Sequence, residues 1–240
     1  MDLKGNATTW LGHATWLWET SEGKRLLIDC WLDGNPSCPD DMKDPAALGA
    51  DGILITHGHF DHIGQGAAEA VDAITKSGAE AFAQFEVAVY LGNKGCEVTG
   101  FNTGGTVEVA GVRATMVQAV HSSGVTDDDG RMVTAGTSTG YVLEFPDGLV
   151  VYHSGDTDVF GDMALIAEIY RPDVSVLSIG GFYTMGPRQA AHAVRLLGAT
   201  QVLGSHFGTF PALAGTPAAL RDLVGAGVDI PDISPGQRMP

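Results

Sequence analysis

Asp51-Gly52-Ile53-Leu54-Ile55-Thr56-His57-Gly58-His59-Phe60-Asp61-His62 joins a short apolar run to a hexapeptide holding three imidazoles and one carboxylate. The run Asp51 to Thr56 has the length and apolar character of a strand covered on both faces, as in a parallel sheet of an α/β protein. Metal-ligating side chains crowded onto the loop that leaves its end are hard to explain as packing. Residues two apart on an extended segment point the same way, so His57 and His59 can share one cation, while Asp61 and His62 turn toward a second as a helix begins. Gly58 and Gly64 allow the backbone to bend there. The competing explanation is a polar surface loop with coincidental histidines, and four specified positions in six residues argue against it.

Outward from this loop, strand and helix patterns alternate. Upstream, Ala7 to Leu11, Ala14 to Glu19 and Arg25 to Trp31 read as strands, with Ser21-Glu22-Gly23-Lys24 as a hairpin turn. Downstream, the alanine-rich spacing from Ile63 to Ser77 predicts a helix stopped by Gly78, then a strand over Ala79 to Ala83 and a helix over Glu86 to Asn93. Hairpins are expected across Ala110-Gly111 (Thr106 to Val109 with Val112 to Val120) and across Pro146-Asp147-Gly148 (Tyr141 to Phe145 with Leu149 to His153). The rest reads as helix at Val159 to Tyr170, strand at Val174 to Ile179, helix at Pro187 to Leu197, strand at Gln201 to Leu203 and helix at Pro217 to Val224. Strand runs alternating with helices indicate an α/β class.

A chain of 240 residues without Pro- or Ser-rich linkers or short repeats fits a single domain over 1–240. The segment Met1 to Trp10 has no basic and apolar leader pattern, and no run approaches the ~18 apolar residues of a membrane span, so neither export nor a membrane partner is expected. Three cysteines, Cys30, Cys38 and Cys96, at unrelated spacings fit a reducing compartment, with the cytoplasm as the default, and read as small core or surface residues. A net charge of −16 sets up a field that repels polyanions, which makes nucleic acid a poor partner and leaves a small-molecule substrate. A homo-oligomer is compatible with the sequence but not readable from it.

The hexapeptide resembles the H-x-H-x-D-H motif of the metallo-β-lactamase superfamily at every fixed position. That resemblance implies further ligands downstream, and each has a match in order: His121 in Ala119-Val120-His121-Ser122, Asp156 in His153-Ser154-Gly155-Asp156-Thr157, and His206 in Gly204-Ser205-His206-Phe207. It implies that His57, His59 and His121 hold a first divalent ion, Asp61, His62 and His206 a second, and Asp156 bridges them. Two dications ~3.5–4 Å apart repel, so a shared carboxylate and a bridging hydroxide are needed between them. A bound water with its pKa lowered to ~7 is then a nucleophile at neutral pH, and Asp61 can orient it or shuttle its proton. Nitrogen and oxygen donors without thiolate suit zinc first, with manganese, nickel or iron also accepted. The implied fold is a four-layer αβ/βα sandwich, two mixed sheets face to face with helices outside and the metals at one edge.

Trp10-Leu11-Gly12-His13-Ala14-Thr15, Ile179 to Pro187 and His206 to Pro211 resemble a branch holding ascorbate-phosphate lactonase-like proteins, N-acyl phosphatidylethanolamine phospholipase D and a group of metal-dependent hydrolases, the last being the best match. There the Gly-His turn implies that His13 binds substrate or donates a proton to the leaving group; a structural histidine in a strand turn is the alternative. His153 either orients Asp156 from behind or is structural, and His192 reads as a partly buried helix residue. Thr184, Met185 and Gly186 are expected to form a loop at the mouth of the site. Gly181 and Phe182 stand where relatives carry polar residues, which makes the pocket less polar. The expected reaction is hydrolysis of an ester-like bond, a lactone or related ester. A phosphodiesterase is the alternative enzyme, and a metal-binding or sensing module without turnover the alternative of another class. Lactamase activity is disfavoured, because a shared metal motif does not determine the substrate.

Overall fold

The computed structural model describes residues 1–240. The apolar runs at the start of the chain pair as an antiparallel meander of β1 (Ala7–Trp10), β2 (Trp16–Glu19) and β3 (Arg25–Ile28). A short helix, α1 (Pro45–Leu48), starts on Asp44, whose carboxylate accepts the Ala46 N–H, with proline at the first helical position. It leads into β4 (Gly52–Ile55), parallel to β3. Then follow α2 (Phe60–Ile63), α3 (Ala68–Ser77), β5 (Glu80–Gln84), α4 (Phe85–Asn93) and β6 (Thr99–Phe101). The second half holds β7 (Thr106–Val109), β8 (Val112–Gln118), the ribbon strands β9 (Gly124–Thr126) and β10 (Met132–Thr134), β11 (Thr139–Glu144) and β12 (Val150–His153). It closes with α5 (Met163–Tyr170), β13 (Val174–Ser178), α6 (Pro187–Leu197), β14 (Val202–Ser205), α7 (Pro217–Val224) and β15 (Arg238–Met239), which returns to pair with β1.

Seven strands form one mixed sheet in the order β15-β1-β2-β3-β4-β5-β6, and six form the other, β14-β13-β12-β11-β8-β7. Alternation along each strand distributes side chains between two cores. In β4, Leu54 points between the sheets, where it joins Trp16, Trp18, Tyr141, Val151 and Val176, while Ile53 and Ile55 face the helices with Ala70, Ala73 and Leu91. On the other side, Tyr152 and Leu177 pack against Ile166 of α5, Val194 of α6 and Leu220 of α7. Helices, sheet, sheet and helices make the four-layer sandwich implied by the resemblance, and β4 is buried on both faces as its composition predicts.

The expected helix over Ile63 to Ser77 is broken. Gly64, Gly66 and Ala67 all have positive φ (78°, 61° and 64°), so the ordered helix begins at Ala68. The break has a tertiary cause: the Glu69 carboxylate accepts the Leu32 and Gly34 N–H groups, and the Cys30 N–H donates to the His62 carbonyl at 2.7 Å. Gly64 permits the kink, whereas Gly58 has no positive φ and supplies clearance instead, since a Cβ there would lie 2.6 Å from Val125. Likewise α5 starts at Met163, four residues later than the apolar pattern suggests. The β9–β10 ribbon, β6, β15 and α1 have no counterpart among the sequence expectations. All three cysteines are free, and no helix is long and apolar enough to cross a membrane.

Candidate active site

The chemistry-bearing loops gather at one end of the sandwich because the parallel strands β3 and β4 in one sheet, and β12, β13 and β14 in the other, all run toward it. The loop after β4 supplies His57, His59, Asp61 and His62; the segments after β8, β12 and β14 supply His121, Asp156 and His206. The turn between β1 and β2 adds His13. Every site residue named from the sequence therefore lies in one cluster. Three backbones there, at His13, Asp29 and His206, are held at φ 54°, 58° and 55°, a left-handed conformation that costs non-glycine residues about 1–3 kcal/mol. The His206 N–H, the Ser205 hydroxyl and the Trp10 indole N–H all donate to the His13 carbonyl, which accounts for two of those conformations being held together.

Three overlapping groups of donor atoms result, His57 with His59 and His121, His57 with His62 and Asp156, and His13 with Asp61, His62 and His206, the atoms of each within 4.8 Å of one another. His57 Nε2 lies 2.9 Å from His59 Nδ1, which lies 3.3 Å from His121 Nε2. On the other side, Asp156 Oδ2 is 3.0 Å from His206 Nε2, 3.3 Å from His62 Nε2 and 3.7 Å from His121 Nε2. Asp61 Oδ2 is 3.6 Å from His206 Nε2. Ligands at ~2.0–2.1 Å from a tetrahedral ion stand about 3.3 Å apart, the separation found here. The buried Nε2 atoms of His62 and His206 and Asp156 Oδ1 have no hydrogen-bond partner, although His62 and His206 lie so close to Asp156. Short separations without aligned hydrogen bonds are what donor atoms aimed at a shared point produce, so these residues fit divalent ions.

Asp29, which no sequence motif singled out, underlies the cluster. Its Oδ2 lies 2.7 Å from His62 Nδ1 and accepts the Thr56 hydroxyl at 2.8 Å, and its Oδ1 accepts the Thr56 N–H. A carboxylate only accepts, so His62 carries its proton on Nδ1 and turns Nε2 toward the cluster. Thr56 Oγ1, 3.1 Å from His57 Nδ1, does the same for His57. The available signal was an acidic residue directly after the apolar run Leu26-Leu27-Ile28, at the carboxyl end of a strand.

Charge is divided across the site. Burial and the neighbouring His62 push His57 well below its usual range, burial with His62 and His121 pushes His59 down to about 4, and burial lowers His121 as well. Burial would also lower His62 and His206, but Asp156 outweighs it, raising His62 well above its ordinary value, with help from Asp29, and His206 to about 9. Asp156 is held far below the carboxylate range: burial opposes ionisation, and His206 and His62 overcome it. Asp61 behaves similarly beside His13 and His206. Without metal, the first trio is neutral at pH 7, whereas His62 and His206 hold protons that an ion bound to them would have to displace. Zinc loading at pH 7 is therefore expected to release about two protons, with affinity falling as pH drops below about 9. Calorimetry in buffers of different ionisation enthalpy reads this, and a release near zero would place ligation elsewhere.

His13 is fully buried beneath Asp61, with its Nε2 2.9 Å from Asp61 Oδ2 and its ring 5.0 Å from Trp31. It does not line the cleft, which is formed by His59, Asp61, His121, Asp156 and Ser122 together with apolar residues. Burial and His206 lower His13 to about 4, so it is neutral at pH 7 and donates from Nε2. His153 is buried with Nε2 unpartnered and makes no hydrogen bond to the Asp156 side chain; its Nδ1 accepts the Gly155 N–H. His192 lies exposed beside Arg195. Of the expected mouth loop, Met185 is buried in the outer core, and its neighbour Tyr183 reaches the cleft instead.

Comparison with known proteins agrees with this geometry. A family model described as a beta-lactamase superfamily domain matches residues 24–207. A UPF0173 metal-dependent hydrolase of Roseiflexus castenholzii is 48% identical over 97% of each chain, and one of Koribacter versatilis is 44% identical over 99% of each. Among solved structures, the metallo hydrolase Igni18 of Ignicoccus hospitalis superposes with a TM-score of 0.83 at 32% identity, covering 98% of this chain and 97% of that one. With the fold, the ordered ligand motifs and near full-length relatives in agreement, the chain belongs to the metallo-β-lactamase superfamily, within its UPF0173 group of metal-dependent hydrolases.

Proposed function

We propose that the chain hydrolyses an ester-like bond, in a lactone or related ester, at a pair of divalent ions. His57, His59 and His121 hold one, Asp61, His62 and His206 the other, and Asp156 lies between. The supporting observation is the position of Asp156 Oδ2, within 3.7 Å of a nitrogen from each trio. When bound, the ions supply an acidified water and polarise the carbonyl oxygen. The protein side chains supply the orientation. Asp61 opens onto the cleft, and a carboxylate so far below its ordinary pKa is a weak base, suited to orienting the attacking water by accepting its hydrogen bond. His13 acts through Asp61, as a positioning residue that donates to Oδ2 and keeps the carboxylate in one rotamer. Zinc suits this donor set, and manganese, nickel or iron would enter it too.

No lysine or arginine lines the cleft, so a phosphodiester would have only the metal ions to pair its charge, and an uncharged ester matches the lining better. The test is turnover by protein loaded separately with zinc, manganese and nickel. Hydrolysis of γ-butyrolactone or p-nitrophenyl acetate, abolished by chelator, is expected; preference for bis(p-nitrophenyl) phosphate would overturn the ester reading.

A further inference from the structure

The lining of the cleft over the metal cluster is of two kinds: His59, Asp61, His121 and Asp156 belong to the cluster, and Phe60, Met132, Tyr183, Phe210, Pro211 and Ala212 are apolar or aromatic. Large apolar side chains scattered singly over a surface need no explanation, but these adjoin one another at a single mouth. Phe60 is 48% exposed, Tyr183 57% and Met132 68%. Phe182, 78% exposed, packs edge-on against Tyr183 at 4.7 Å between ring centroids. Trp31, itself buried, backs two of these rings, standing 5.9 Å from both Phe60 and Phe210. The β9–β10 ribbon that carries Met132 is tied to the metal loop, since the Gly58 N–H donates to the Ser123 hydroxyl, which donates in turn to the Ala135 carbonyl.

This apolar lining is continuous with the reacting centre, so whatever fills it is the non-reacting part of the substrate. The cleft measures about 680 Å³, in the range of sites that enclose a sizeable organic molecule, and a bare four-carbon lactone would leave most of it wet. The lining offers no cation to pair with an anionic tail, and its only groups able to ionise near neutral pH are those of the metal cluster.

We propose that the substrate is an uncharged ester or lactone bearing a medium-length alkyl chain, its carbonyl at the metal cluster and its chain along the apolar lining that Phe60, Phe210, Met132 and Tyr183 supply. This rests on the ester reading above and adds the recognition element. Unbranched methionine adapts to a flexible chain, and the aromatic faces supply apolar area at little entropic cost.

The metal-loaded protein is assayed with p-nitrophenyl acetate, butyrate and octanoate, and with γ-butyrolactone against γ-decalactone. As chain length increases, kcat/KM should rise roughly two- to fourfold per methylene, mostly through KM. In Met132→Asp, and separately in Tyr183→Asp, that slope should flatten toward one. Both positions are exposed, and retained metal content reports an intact fold. The slope within each variant is the readout, not its absolute rate. A second arm needs no turnover: calorimetry with octanol and butanol should show tighter binding of octanol with a negative heat-capacity change, lost in Met132→Asp. Octanol binding without ester turnover would support the groove while removing the ester reading. Ester turnover with no chain-length slope and no octanol binding would overturn the groove and leave the ester reading standing. Binding of the protein to phosphatidylcholine vesicles with a flat slope would assign the rim to a lipid surface and overturn the proposal.

Discussion

Asp156→Ala is expected to lose bound metal and turnover together, with activity falling by about three orders of magnitude or more. Its Oδ2 is the one carboxylate oxygen within reach of His62, His121 and His206, and the side chain is almost fully buried and anionic. Two dications roughly 3.5–4 Å apart need negative charge between them, and Asp61, the other carboxylate of the cluster, is engaged by His13 and groups with His62 and His206 rather than with the His57–His59–His121 donors. The metal-free protein also changes. With Asp156 gone, the protonated forms of His62 and His206 lose their main partner, and a buried charge left unpaired costs about 3–5 kcal/mol unless the ring gives up its proton. The variant's histidines should therefore titrate lower than the wild type's. Plasma emission analysis of metal content after dialysis, with circular dichroism as a control on folding, checks the first claim. Full occupancy by two ions in a folded variant would remove Asp156 from its bridging position.

Asp29→Asn should weaken metal affinity about 10–100-fold while the fold survives. The two side chains have nearly the same shape, but an amide can present an N–H where the carboxylate presented only acceptors. Opposite His62 Nδ1, 2.7 Å away, that change permits the tautomer with its proton on Nε2, which cannot ligate. The Thr56 hydroxyl and N–H both end on the same carboxylate, so the orientation of His57 is disturbed secondarily. Loss of these buried bonds is expected to cost about 1–3 kcal/mol of stability. Competition against a coloured chelator measures affinity, and nitrogen chemical shifts of the His62 ring report the tautomer. A purely structural role would lower stability and leave the tautomer unchanged; that result would reject the positioning role of Asp29.

The ligand loop was legible because its information is local. Four side chains within His57 to His62 and a strand to carry them are specified by neighbouring residues, whereas His121, Asp156 and His206 were singled out only by the order of blocks that the resemblance implies. The strand runs and their turns were legible for the same reason, whereas the face-to-face packing of two sheets was implied only by the resemblance of the ligand motifs, because which strands share a sheet depends on pairing between distant segments. What could not be read locally depends on residues distant in sequence. The helix after His62 breaks because Glu69 is drawn to the backbone of Leu32 and Gly34. Asp29 gains its role because β3 and β4 lie side by side and place its carboxylate beneath His62. His13 resembled a substrate ligand in its turn, yet packing of Trp31, Phe210 and His206 around it leaves it beneath Asp61. The residues alone determined which donors exist and that they leave strand ends, since periodicity and ligand chemistry are properties of short segments. Only the tertiary structure decided which donor faces which partner, which histidine meets solvent and what walls the cleft, because those depend on close packing between segments that no local pattern couples.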